Sequence, residues 1–171
     1  MATGIMDPSS MVNHEMVQIA LDIATPPIMR LMGVQEPAMV WGPKYLVVVV
    51  LHPALKNPVA RKIGTTESWK TEWGKPEDCE KIANWKAEAA QREGKPTSEL
   101  TLMYPWDHEP GDYLYAGGVA DGKLAVGSSG FVGFADEIAS NIVLALIKGF
   151  CKTKREQLRE NKVRQIGLTY L

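Results

Sequence analysis

The sequence predicts an α+β domain in which a small antiparallel sheet carries helices on its faces. Three observations lead there. Apolar residues recur at helical spacing in three separated stretches. Between them lie two pairs of short β-type runs, each pair meeting at a Gly-containing turn. One of those runs is apolar at nearly every position, as a central strand covered on both faces must be. The chain of 171 residues, 45% hydrophobic and 23% charged, has the size and composition of one domain, so residues 1–171 are read as a single unit with 1–11 as an N-terminal arm.

In order along the chain, Met16, Ile19, Ala20, Ile23, Ile28, Leu31 and Met32 mark an amphipathic helix over 12–32, with Asn13 as its cap and Gly33 at its close. Thr25-Pro26-Pro27 predicts a kink or a restart, because each proline lacks an N–H and crowds the preceding turn. Runs 38–41 and 44–51, joined by Gly42-Pro43, form a hairpin whose second arm, with Val47 to Val50, is the buried strand. Residues 52–76 hold three prolines and many Lys and Glu, and are read as a long loop or lid. Trp69 and Trp73 within it are expected to order against a pocket or partner. A helix follows over 77–91, with Gly94-Lys95-Pro96 as the stop, then a short helix over 97–102 and a loop over 104–111. Runs 113–120 and 123–128 flank Asp121-Gly122 as a second hairpin. From Gly133 a long helix begins, with Ile138, Ile142, Val143, Ala145, Leu146 and Phe150 as its expected buried stripe, and 151–171 form a basic tail.

Composition excludes several function classes. Nineteen Lys and Arg against twenty Asp and Glu leave a formal charge of −1, so no nucleic-acid footprint is expected. The longest apolar run is far short of the roughly 20 residues needed to span a bilayer. The N-terminal residues lack a basic and apolar leader pattern, so the expected location is cytoplasmic. Cys79 and Cys151 fit neither a disulfide framework nor a zinc site, and no dedicated metal site is expected. Asp107, His108, Glu109 and Asp112 offer ligand atoms in one loop, but without a second cluster at ligand spacing.

Several residues are candidates for chemistry. The string Gly127-Ser128-Ser129-Gly130-Phe131-Val132-Gly133 imitates a dinucleotide-binding turn, yet too little chain follows it for the parallel strand such a unit requires. The turn can still hold an anion or a carbonyl, since the first amides of a helix are unpaired and the dipole is positive there. Asp136 and Glu137 serve either as first-turn acids or in proton transfer. Gly117-Gly118 marks a bulge or a close approach by a ligand or another backbone. His52, closing the buried strand, is a candidate acid or base.

Four strings, in order, resemble the GlcG/HbpS-like family, described as haem-binding or haem-degrading and found also at the C-terminus of PduO-type adenosyltransferases. They are Leu31-Met32-Gly33-Val34; Lys86-Ala87-Glu88-Ala89-Ala90 followed by Gly94-Lys95-Pro96-Thr97; Gly117-Gly118-Val119 before Asp121-Gly122; and Gly127-Ser128-Ser129-Gly130 before Asp136-Glu137. The resemblance covers about residues 14–148. It implies a profilin- or roadblock-like sheet of about five antiparallel strands flanked by helices, assembled as a homo-oligomer. It implies haem or a related tetrapyrrole as ligand, with His14 in a position that allows an iron ligand. It also places Gly117 and Gly118 at the ligand and leaves Lys86 free to pair with a carboxylate. The shortened second hairpin, the 52–76 insertion and Gly42-Pro43 in the first turn depart from the family pattern.

Two functions are therefore expected in competition. One is a small-ligand-binding protein, with His14, Lys86, Gly117, Gly118, Ser128, Ser129 and Gly130 at the ligand. The other is a cofactor-independent lyase, isomerase or hydrolase acting on a small oxygenated metabolite, with His52, Asp136 or Glu137 moving protons and the 127–130 turn holding an oxyanion.

Overall fold

The fold is built around strand β1 (Tyr45–Leu51), whose run Tyr-Leu-Val-Val-Val-Val-Leu is buried along nearly its whole length. The structure is a computed structural model and describes residues 11–33, 44–112 and 114–167, with side chains described to residue 161. Side chains alternate across a strand, so β1 serves two cores. Leu46, Val48 and Val50 face one core, while Tyr45, Val47 and Val49 face the other. Each valine so buried contributes about 1.5–3 kcal/mol, which fixes the strand in the middle of the sheet.

The sheet has the order β2-β1-β4-β3 and is antiparallel throughout, with β2 at Val59–Gly64, β3 at Gly118–Asp121 and β4 at Leu124–Ser129. Helix α1 (His14–Gly33) and helix α4 (Gly133–Gly167) cover one face, and helix α2 (Cys79–Glu93) covers the other. A short helix α3 (Thr97–Met103) follows α2. The domain is thus α+β, with four helices around a four-stranded antiparallel sheet among the described residues.

Small residues set how closely α2 lies on the sheet. Ala83 and Ala87 meet Gly127 of β4, where an added Cβ would land on the Ala83 carbonyl oxygen. Gly118 of β3 does the same beneath the Lys86 carbonyl, and its N–H donates to Thr97 Oγ1 at 2.9 Å. Gly117 and Gly118 therefore serve close backbone and side-chain approach by α2 and its neighbours.

Several expected elements differ from the observed ones. Residues 59–64, read as part of a loop, form strand β2, because Val59 and Ile63 alternate into the α1 face while Lys62 faces out. Arg61 on that face pairs with Asp22 at 2.8 Å and donates to Gln18 Oε1 at 2.8 Å, which disguises the apolar alternation. Helix α1 runs unbroken through Pro26 and Pro27, and Thr25 donates its hydroxyl to Leu21 O at 2.7 Å instead of capping a new helix. Asn13 does cap it, its side-chain oxygen taking the Met16 N–H at 2.8 Å. The arm before β3 is shorter than expected, since 114–117 lie outside any strand. In the β3–β4 turn Gly122, with φ of +59°, takes the first central position and Asp121 pairs in the ladder with Leu124, the Gly-X pattern of a II′ turn. Of the stripe expected on α4, Val143 is buried, Ile142, Leu146 and Phe150 are half-buried, and Ile138 and Ala145 are exposed. The true stripe is Ala135, Ala139, Val143 and Ile147. Residues 151–167 continue α4, so the basic tail is helical as far as it is described. The expected strand 38–41 lies outside the described residues; among the described residues the sheet has four strands where about five were expected. No described helix is long and apolar enough to cross a membrane.

Candidate functional site

At the end of the sheet where β4 passes into α4, a cavity of about 570 Å³ opens between three segments. Trp69 and Trp73 come from the chain between β2 and α2, Cys79, Ile82 and Lys86 from α2, and residues 129–133 with Asp136 from the β4–α4 junction; Tyr115 closes the side. Trp69 is held in place by edge-on contacts to Tyr45 at 5.9 Å and Trp73 at 6.0 Å, and by its indole N–H donating to Gly74 O at 3.0 Å. Aromatic and apolar side chains share the wall with Glu72, Lys75 and Asp78, and the Lys86–Asp136 pair lies at its base. Ligand cavities have this composition.

The base is a buried ion pair. Lys86 Nζ lies 2.8 Å from Asp136 Oδ2 and also donates to Ser128 O at 3.1 Å, while Asp136 Oδ1 accepts the Phe131 N–H at 2.8 Å. Both residues are 2% exposed. Burial pushes the Asp136 carboxyl up to about 7, outweighing the Lys86 ammonium and the Phe131 amide, which pull it down. Lys86 reaches inward because Gly117 leaves the space. A Cβ on Gly117 would stand 2.8 Å from Lys86 Nζ and 2.9 Å from Asp136 Cβ.

Beside this pair, Gly133 at the first position of α4 lines the cavity, which puts the positive end of the helix dipole at its edge. Cys79 is buried at the wall, and burial raises its thiol against the hydrogen bond from Ser129. Cys79 is therefore a neutral thiol near pH 7 and a weak nucleophile. The site can hold an acidic or oxygen-bearing group at Lys86 and move one proton at Asp136.

The residues expected at a site divide into three groups. Lys86, Ser129, Gly130 and Asp136 come together in the cavity. Gly117, Gly118 and Ser128 are packed behind it: Ser128 Oγ lies 2.7 Å from Ser140 Oγ, which donates to Gly117 O at 2.7 Å. Glu137, His52 and His14 lie elsewhere. Glu137 accepts from the Ser98 N–H at 3.2 Å and from Ser98 Oγ at 2.8 Å, and so caps α3 from a neighbouring helix. Glu137→Ala is expected to cost about 1 kcal/mol in a urea unfolding titration, with the cavity intact. His52 sits past the far end of β1, about 20 Å from the cavity by strand length, with Nδ1 accepting the Ala54 N–H at 3.1 Å. His14 is exposed beside Gln18, on the turn of α1 whose Met16 Sδ meets Cys151 Sγ at 3.7 Å. Fifteen helical residues separate Cys151 from Asp136, again about 20 Å. The 107–112 acids are engaged as well, Asp112 with Arg92 at 2.6 Å and Asp107 with Lys95 at 3.6 Å.

The cavity contributors absent from the sequence expectations are Glu72, Gly74, Lys75, Asp78, Cys79, Ile82 and Tyr115. Cys79, Ile82 and Lys86 stand three and four residues apart, on one face of α2, and that spacing is the signal that groups them.

A haem held in this cavity would not reach His14, the expected iron ligand. No described residue lining the cavity is a histidine, His14 lies some 20 Å away, and the one lining thiol is held neutral. No protein-family model, curated protein or solved structure matches the chain, so the comparisons attach no ligand to the cavity.

Proposed function

We propose that this protein binds a small molecule with a flat apolar body and an acidic group, the acid seated at Lys86 and the start of α4, the body against Trp73, Tyr115 and Phe131. The observation that carries this reading is the buried Lys86–Asp136 pair at the base of an aromatic cavity. With Asp136 protonated, the base holds one net positive charge; with Asp136 ionised, it holds none. An anion therefore binds together with a proton, and its affinity falls as pH rises through about 7.

The experiment is a calorimetric titration of the full chain with 2-naphthoate, ionised at every pH used, at pH 6 and pH 8. Affinity is expected to be about tenfold weaker at pH 8. Asp136→Asn should remove that dependence, and Lys86→Met should weaken binding at least tenfold at pH 6. Binding that ignores both pH and Lys86→Met, or no saturable binding of any aromatic monocarboxylate, overturns the reading. Hemin added alongside is expected to show no absorbance shift that depends on His14.

A second reading, proton transfer on the bound molecule, is favoured by one feature, a carboxyl near 7 facing a cavity. In that reading Asp136 is the acid or base and Lys86 steadies the developing negative charge. His52 and Glu137 have no part in it. The resemblance to the GlcG/HbpS-like family, with its profilin- or roadblock-like sheet, supports a ligand-binding role through the layered α+β architecture. Assembly as a homo-oligomer in the cytoplasm belongs to the same proposal, and the exposed Leu102, Met103, Trp106 and Phe134 support the assembly.

A further inference from the structure

At the opposite pole of the sheet lies a second cavity, of about 480 Å³, that the proposed function does not use. Its lining carries four cations, Lys123 from the β3–β4 turn and Lys148, Lys152 and Arg155 from α4. The three on α4 are spaced by four and three residues, which places them on one helix face. One acid lines the cavity, Asp121, and it is ion-paired with Lys148. Among the described residues, Lys123, Lys152 and Arg155 have no ion-pair partner. The remaining lining is His52, which closes β1, with Met11, Val12, Gly122, Leu124 and Cys151.

Concentrating like charges around a concavity costs repulsion that an anion relieves, and a low-dielectric wall strengthens the field inside it. A chain with formal charge −1 has no general excess of cations, so this cluster is local. The hollow is too small for a folded partner and suits a compact group with several oxygens. Lysine point charges and one arginine fork match phosphate in particular.

We propose that this second cavity binds a small phosphate-class polyanion, a phosphate ester or polyphosphate, held by Lys123, Lys152 and Arg155. Phosphate groups reach a protein both as free metabolites and as lipid headgroups. The cavity's small volume, about 480 Å³, favours the free molecule.

The test is a calorimetric titration of the full chain with inorganic pyrophosphate. Saturable one-to-one binding is expected, weakened at least tenfold in Lys152→Ala/Arg155→Ala and unchanged in Lys62→Ala/Lys81→Ala, an equal loss of charge outside this cavity. Lys86→Met should leave it unchanged, which separates this site from the aromatic cavity. Absence of saturable binding overturns the proposal, as does equal weakening in the two double variants. Binding only to vesicles containing phosphatidylserine, or only to duplex DNA, with none to pyrophosphate, overturns it too.

Discussion

Gly127→Ala is expected to destabilise the protein by about 3 kcal/mol or more. The new Cβ would land on the Ala83 carbonyl oxygen and come within 2.8 Å of the Ala87 nitrogen. Both are backbone atoms of α2, so no rotamer change relieves the clash. Either α2 lifts from the sheet or β4 bends. Lifting α2 also moves Lys86 and Cys79, so the cavity is lost with the stability. Gly149→Ala is the matched control, since an added Cβ there meets nothing within 4 Å and the residue lies within α4. That change should stabilise by about 0.5–1 kcal/mol. Urea unfolding of the three proteins decides the matter, and a Gly127→Ala variant within about 0.5 kcal/mol of the parent contradicts the close packing of α2 on β4.

The second large effect is an asymmetry between the partners of the buried pair. Asp136→Leu strands the Lys86 ammonium in a site that is 2% exposed. Breaking a buried pair in this way costs about 3–5 kcal/mol. Lys86→Met leaves the Asp136 carboxyl instead, which burial has already brought to about 7 and which takes up a proton near neutrality. Its cost should be smaller, about 1–3 kcal/mol. The double variant Lys86→Met/Asp136→Leu should recover most of the loss, because well-packed apolar replacements of a buried pair are near neutral. The pH course has a fixed sign. A carboxyl whose folded value is raised contributes stability that is full below its unfolded value near 4 and is lost as pH rises through about 7. The double variant should show none of that decline. Equal losses in the two single variants would contradict a carboxyl at Asp136 raised by burial.

Local patterns made much of the fold legible. The run Tyr45–Leu51 announced a strand buried on both faces, Asn13 announced its cap, and Gly94 stopped α2 in the left-handed conformation its position requires. Strand β2 was hidden because an edge strand shows only one apolar face, and here that face also carries Arg61, whose partners Gln18 and Asp22 are some forty residues away. Prolines 26 and 27 signal a break in isolation, but burial of Ala24, Ile28 and Met32 on either side holds α1 together.

The site was half legible. Lys86 and Asp136 stood among the candidates, yet nothing local shows that they meet, since fifty residues separate them. A lysine within the stripe Ala83, Ala87 and Ala90 was the available clue, because an inward lysine must find a partner. Gly117 and Gly118 signalled close approach, and the approaching groups prove to be Lys86 and Thr97. His52 and Glu137 stand out by residue type and by local position, at the close of the buried strand and after the glycine-rich string. Their environments, a turn at the far pole and the start of α3, are set by the tertiary fold.

The most direct test of the central claim is amide chemical-shift mapping of the full chain at pH 6 with 2-naphthoate. Saturable shifts gathered on Trp73, Cys79, Lys86, Ser129 to Gly133 and Asp136, absent in Lys86→Met/Asp136→Leu, are the predicted result. Shifts gathered elsewhere, or persisting in the double variant, would contradict it.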